Sequence, residues 1–199
     1  MSILWQFCLL QKRNLSVMSK ENGFTLIEVI LSLAIGSILV LSFYSALDFT
    51  TNTCKLEEEN DEIMLNGQYA IEYIKVEMKQ AEKIISIDCF ENLKNEYSDN
   101  LGFVIMKYNP NETYKYNYST YYFKNNKIYR IAENRRDDIL PTNSSFGGHN
   151  LLARNVVSID ETNINFDTKI VDLNFVLEGD LGKPKEFKAK IFIRCPVIY

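Results

Sequence analysis

From Val29 to Leu47 the chain carries no charged residue. Phe24 to Ile27 extend the apolar stretch towards the N-terminus, and only Glu28 interrupts it. Together these residues have about the length a helix needs to cross a bilayer. Lys12, Arg13 and Lys20 precede the stretch, whereas Asp48, Glu57, Glu58, Glu59, Asp61 and Glu62 follow it. Retention of basic segments on the inner side of the membrane puts the N-terminus in the cytoplasm and everything after Asp48 outside. Of the 199 residues, those left over suffice for about one globular domain.

Two ordinary readings suit an apolar N-terminal segment. A secretory signal peptide is cut after the apolar stretch at small residues, for which Ser42, Ser45 and Ala46 would serve. A plain signal anchor is not cut at all. Both leave Glu28 unexplained. A carboxylate at the centre of a membrane helix costs about 2.5–3.5 kcal/mol on insertion scales, and less near its end. Cutting the chain between Gly23 and Phe24 would supply a partner, because a free α-amine has a reference pKa of about 8. Glu28 lies one helical turn from that amine, and the pair could form within one chain or between neighbours.

The segment Gly23-Phe24-Thr25-Leu26-Ile27-Glu28-Val29 resembles the signature of type IV prepilins: a glycine, a cleavage point, an aromatic residue, and a glutamate fifth in the mature chain. The resemblance implies cleavage and N-methylation by a membrane prepilin peptidase, leaving methyl-Phe24 at the new terminus. It also implies that Glu28 guides assembly by attracting the amine of an adjacent subunit. Leaders in this family are short and basic, whereas residues 1–23 include the apolar piece Ile3 to Leu10. Met18 would begin a leader of typical length, Met-Ser-Lys-Glu-Asn-Gly, so translation is expected to start there.

Beyond Leu56, Ile63, Ala70, Ile74, Met78, Ala81 and Ile85 recur at helical spacing, with Gly67 on the same stripe. This predicts that the helix continues to about residue 86, with an apolar side on a sheet and a polar side in water. Gly67 marks either a break or a close packing point. The acidic run from Glu57 to Glu62 reads as a solvated face, with contact to basic subunits as the alternative. Period-two alternation follows. Strands are expected at Leu101–Tyr108, from Tyr114 to Phe123, and at Lys127–Ala132 after an Asn125-Asn126 turn. Short strands are expected at Val156–Asp160 and Asn163–Phe166, and a last hairpin from Val171–Leu177 and Phe187–Ile193. Residues Arg135 to Asn150 read as a loop.

The resulting fold class is α+β: a leader at 1–23, a membrane and filament-core helix at 24–50, its amphipathic half at 51–86, and a β-rich head at 87–199. The arrangement is similar to the pilin fold. The stretch Gln68 to Ile74 leading to Met78-Lys79-Gln80-Ala81, together with Ile128-Tyr129-Arg130, Leu151-Leu152, Val156 and Ile193-Arg194, resembles J-type minor pseudopilins and W-type minor pilins. The partners implied are the prepilin peptidase, other pilin or pseudopilin subunits, membrane lipid before assembly, and an inner-membrane assembly platform.

Several function classes have little support. Net charge is −4, and the basic residues are scattered, so direct nucleic-acid binding is not indicated. No phosphate loop, nucleophile elbow, metalloprotease or dinucleotide fingerprint is present. Asp160, Asp167 and Asp172 lack calcium-loop spacing. No catalytic, metal or cofactor site is therefore expected. His149, in a Gly-Gly-His-Asn stretch, reads as a partnerless surface residue. The tyrosines from Tyr114 to Tyr122 read as a half-buried strand rather than a stacking platform. Cys8, Cys54, Cys89 and Cys195 form no CxxC pair. Cys89 and Cys195 bracket the head and could form a bridge outside the cell, with two free thiols as the alternative. A subunit of a type IV pilus, secretion pseudopilus or DNA-uptake pilus is the leading reading; a signal-anchored extracytoplasmic binding module or adhesin is the second.

Overall fold

The computed structural model describes residues 23–90, 93–142 and 145–199. The leader, the start at Met18 and Cys8 fall outside these residues. The chain divides into two compact units, one running to Asn52 and one from Thr53 to Tyr199. A single helix, α1 (Leu26–Lys79), supplies the described structure of the first unit and opens the second.

In the first unit α1 displays apolar side chains all round. Leu26, Leu33, Leu41 and Phe43 are each about two-thirds or more exposed. The polar residues among them are satisfied locally. The hydroxyls of Ser32, Ser37 and Ser42 donate to the backbone oxygens of Val29, Ala34 and Ile38 at 2.8–2.9 Å. Thr50 and Thr51 do the same to Ala46 and Leu47. Local pairing of this kind is what a helix requires where no water is present.

In the second unit α1 lays a stripe of Ile63, Gly67, Ala70, Ile74 and Met78 into the core. The first sheet contains β1 (Lys83–Ser86), β2 (Phe103–Tyr108), β3 (Tyr116–Lys124), β4 (Lys127–Arg135), β5 (Gly147–Arg154) and β10 (Val197–Ile198), in the order β10-β1-β2-β3-β4-β5. It is antiparallel except where β10 lies parallel to β1. A second antiparallel sheet is built on β8 (Ile170–Leu177), which pairs with β9 (Lys185–Phe192) and also with the short β6 (Val156–Ser158) and β7 (Asn163–Asn165). The stripe on α1, Phe103, Ile105 and Tyr121 of the first sheet, and Leu173 and Phe175 of the second form one core. Alternate residues Val104, Met106, Tyr118 and Tyr122 point to the other face of the first sheet. There Phe90, Leu93 and Phe146 cover them in a second cluster. The segment over that face includes a 3-10 turn (Ile87–Cys89) and α2 (Leu93–Glu96).

The α+β expectation holds, and the two hairpins stand where alternation put them. Asn125 and Asn126 have φ of 51° and 58°, both left-handed, as the tight β3–β4 hairpin requires. In β8–β9, Val171 faces Ile191 and Phe175 faces Phe187. Gly67 is a close packing point rather than a break: a Cβ placed there would fall 2.5 Å from the Phe187 ring.

Two expectations fail. The helix stops at Lys79 rather than near residue 86, and Ile84-Ile85 lie on strand β1. Ile85 follows Met78 by seven residues, so helical spacing alone could not exclude it. The deciding factor is burial on both sides: Ile84 faces the first core and Ile85 the second, which only a central strand achieves. Arg135 to Asn150 is not wholly loop, because β4 reaches Arg135 and β5 starts at Gly147. The strands of the head are divided between two sheets.

Candidate functional site

The N-terminal segment positions Glu28 at the first turn of α1. Thr25 precedes the helix, and Glu28 reaches back to it. The Thr25 backbone N–H donates to Glu28 Oε2 at 2.9 Å, and the Thr25 hydroxyl donates to the same oxygen at 2.8 Å. The Glu28 backbone N–H approaches Thr25 Oγ1 at 3.4 Å. Thr25-Leu26-Ile27-Glu28 is therefore a capping box, in which two backbone donors that the helix leaves unpaired find side-chain oxygens. The T-x-x-E spacing was legible in the sequence and gives Glu28 a local partner that the charge argument overlooked. Phe24, at 86% exposure, and Gly23 lie just outside the helix.

A second carboxylate, Glu77, is 5% exposed and belongs to α1 in the second unit. Three adjacent strands of the first sheet converge on it. Lys107 Nζ of β2 is 2.8 Å from Oε1. Arg130 of β4 donates from Nη2 to Oε1 at 2.9 Å and from Nε to Oε2 at 3.0 Å. Tyr121 of β3 donates its hydroxyl to Oε2, and Ser119 reaches the same oxygen at 3.3 Å. Burial pushes the Glu77 carboxyl upwards, but the hydrogen bonds from Arg130, Lys107 and Tyr121 outweigh it and hold the group down at about 2. Burial, with Glu77 alongside, pushes the Tyr121 hydroxyl well above its ordinary value, so it remains a donor. The arrangement leaves no free lone pair for chemistry and fixes the helix to the sheet. Sequence reasoning missed it, although Glu77 falls seven residues after Ala70 on the apolar stripe. A carboxylate on such a stripe calls for buried cations.

The remaining candidates are dispersed. Cys89 and Cys195 are free thiols. Cys89 packs with the second cluster and Cys195 with the first, on opposite faces of the first sheet, so the bridge between them is not formed. His149 lies on β5 rather than in a loop, and its Nδ1 is 2.8 Å from the Tyr122 hydroxyl. That partner corrects the partnerless reading. Tyr118, Tyr121 and Tyr122 are buried in β3. Among the described residues no group of three or more His, Cys, Asp and Glu is placed to hold a metal ion.

Residues 18–44 match the family model of the prokaryotic N-terminal methylation motif. That match supports a type IV prepilin-like N-terminus. The match spans Gly23, Phe24, the capping box and much of the exposed apolar helix. The motif belongs to structural pilin-type subunits rather than enzymes. It implies processing by a prepilin peptidase and assembly with other pilin subunits from a membrane-anchored precursor. No curated protein and no solved structure matches the chain.

Proposed function

We propose that this protein is a minor pilin or pseudopilin. It is cleaved between Gly23 and Phe24, methylated at Phe24, and assembled through α1 into a type IV pilus or a secretion-type filament, near its tip. The observation that carries this reading is the methylation motif over residues 18–44, placed at the start of an unbroken helix whose apolar surface has no covering in its own unit. A helix of that kind needs lipid before assembly and other helices after it. Glu28 then acts twice. It caps its own helix through Thr25, and its charge attracts the α-amine of a neighbouring subunit once the leader is gone. In the dry interior of a filament that attraction is strong and an unpaired carboxylate is costly.

The head, residues 80–199 together with the amphipathic half of α1, faces the outside of the cell. The resemblance to J-type and W-type subunits supports a minor role with few copies at the filament end. N-terminal mass analysis of the protein from peptidase-positive and peptidase-deficient cells tests the reading. Methyl-Phe24 in the former and an intact leader in the latter are expected. An intact leader in both, or a terminus near Ala46, would return the protein to the class of anchored or secreted binding modules.

A further inference from the structure

Between the first sheet and strand β7 of the second lies a cleft of about 550 Å³, within the size range of small-molecule sites. On the first-sheet side it is lined by Ser86 and Asp88, at the end of β1 and in the 3-10 turn, and by Lys94 and Ser98, on and just after α2. On the other side it is lined by Asn163 and Ile164 of β7, with Phe166 and Tyr199 beside them. The two sides meet at Gly102, which has φ of 91° and where a Cβ would lie 3.5 Å from Ile164 Cγ2.

The chemistry of the lining is neutral and rich in hydrogen-bonding groups. Asp88 and Lys94 are the only charged side chains among the described residues that line the cleft. They are of opposite sign, 3.5 Å apart, and 72% and 68% exposed, so the cleft offers an ion no net attraction. The Ser98 hydroxyl and the Asn163 amide have no hydrogen-bond partner among the described residues, and each of these groups both donates and accepts. The Tyr199 ring stacks on Phe166, with centroids 5.5 Å apart and planes 19° from parallel. Its hydroxyl donates to Asp167 at 2.9 Å. The ring is thus held from one face and one edge, yet Tyr199 is 68% exposed.

Two ligand classes fit this cleft poorly. A peptide that binds by adding a strand needs a free sheet edge. Strand β1 is paired on both sides, by β2 and β10, and β7 is only three residues long. A phosphate polymer needs a surplus of cations, which the cleft lacks. A sugar ring fits both features present. Its C–H bonds suit the electron-rich face of an aromatic ring, and its hydroxyls suit side chains that donate and accept.

We propose that this cleft binds an uncharged saccharide, stacked on Tyr199 and hydrogen-bonded by Ser98, Asn163 and Asp88. The cleft is complete within one head, so the inference goes beyond the filament reading and needs no second copy of the chain. On a subunit near a filament tip, it gives the filament a point of attachment to a glycan outside the cell.

The test uses the chain from Phe24 onwards in dodecylphosphocholine micelles, a detergent that contains no sugar. Saturation-transfer difference NMR is recorded with chitotriose, cellotriose and maltotriose as probes, and with a heparin tetrasaccharide as the anionic comparison. At least one neutral probe is expected to receive saturation from the protein, with Kd on the order of 1 mM, because its hydroxyls exchange water for protein partners at little net gain. Tyr199→Ala should raise that Kd by about fivefold, whereas Tyr199→Phe, which keeps the ring, should bind nearly as wild type. Ser98→Ala combined with Asn163→Ala should weaken binding by about tenfold, and Phe192→Ala, outside the cleft, should leave it unchanged. These side chains are all exposed, and thermal melts of the same samples check that each variant folds. Saturation of none of the neutral probes would overturn the proposal. So would binding that persists unchanged in folded Tyr199→Ala and in the folded double variant, or binding of the heparin fragment in place of the neutral probes.

Discussion

Two glutamates on one helix do different work, and charge separates them from their isosteres. At Glu28 the capping box needs only an acceptor, which glutamine retains, whereas pairing with an amine needs the negative charge. Glu28→Gln is therefore expected to insert, to be cut and to keep the Thr25 contacts, yet to enter filaments at least about tenfold less well. Glu28→Ala should lose the cap as well, at about 1 kcal/mol of local helix stability. Immunoblots of sheared filaments against membrane fractions measure both; a glutamine variant incorporated at the normal level would leave capping as the whole role of Glu28. At Glu77 the issue is burial. Removing the carboxylate by Glu77→Ala strands Arg130, whose side chain is 14% exposed, and should destabilise the second unit by about 3–5 kcal/mol in denaturant unfolding. Its pH dependence has a definite sign. The carboxyl titrates near 4.5 in the unfolded chain and near 2 in the folded one. Across that window the unfolded state binds the proton more readily, so the contribution is complete above about 4.5 and fades as pH falls towards 2. The difference in Tm between wild type and Glu77→Gln should shrink over that range.

At the scale of elements, the amphipathic half of α1 is positioned from two sides. Glu59 accepts from the backbone N–H groups of Asp180 and Leu181 in the β8–β9 turn, and Gly67 lies against Phe187 of β9. Alanine ordinarily favours a helix over glycine by about 1 kcal/mol, but here its methyl meets a ring, including its Cγ atom. Gly67→Ala should thus destabilise by about 1–2 kcal/mol net, and Phe187→Leu should recover most of that loss, as read from paired thermal melts. These contacts also show where sequence reading ends. The α1 stripe, the Asn125-Asn126 turn and the β8–β9 alternation are local periodicities, and they were legible. Strand β1 was not, because Ile84 and Ile85 are set by partners about 20 residues or further away: Ile105 and Val104 on β2, and Val197 and Ile198 on β10. The same distance hid the Glu77 site, whose cations arrive from β2 and β4. Gly23, Phe24 and Glu28 were legible as a contiguous motif, whereas Glu59 meets Asp180 and Leu181 from more than 100 residues away in sequence.

For the whole molecule, the two units have opposite relations to water. Both hydrophobic clusters draw their buried residues from Ile63 to Ile193, within the unit that starts at Thr53. That unit closes its own core, pairs its buried Glu77 and needs nothing from residues before it. The described part of the first unit has no core and exposes Phe24, Leu26, Ile27 and the apolar residues that follow. Solubility and folding should therefore separate at the unit boundary. A chain starting at Thr53 is expected to be soluble without detergent and to unfold in one cooperative transition. The chain starting at Phe24 should require detergent or lipid and show the same head transition at nearly the same midpoint. Circular dichroism melts of the two proteins, with light scattering for solubility, provide the comparison. A shorter chain that aggregates, or melts without cooperativity, would mean that residues 24–52 contribute to the fold of the head as well as to its anchorage.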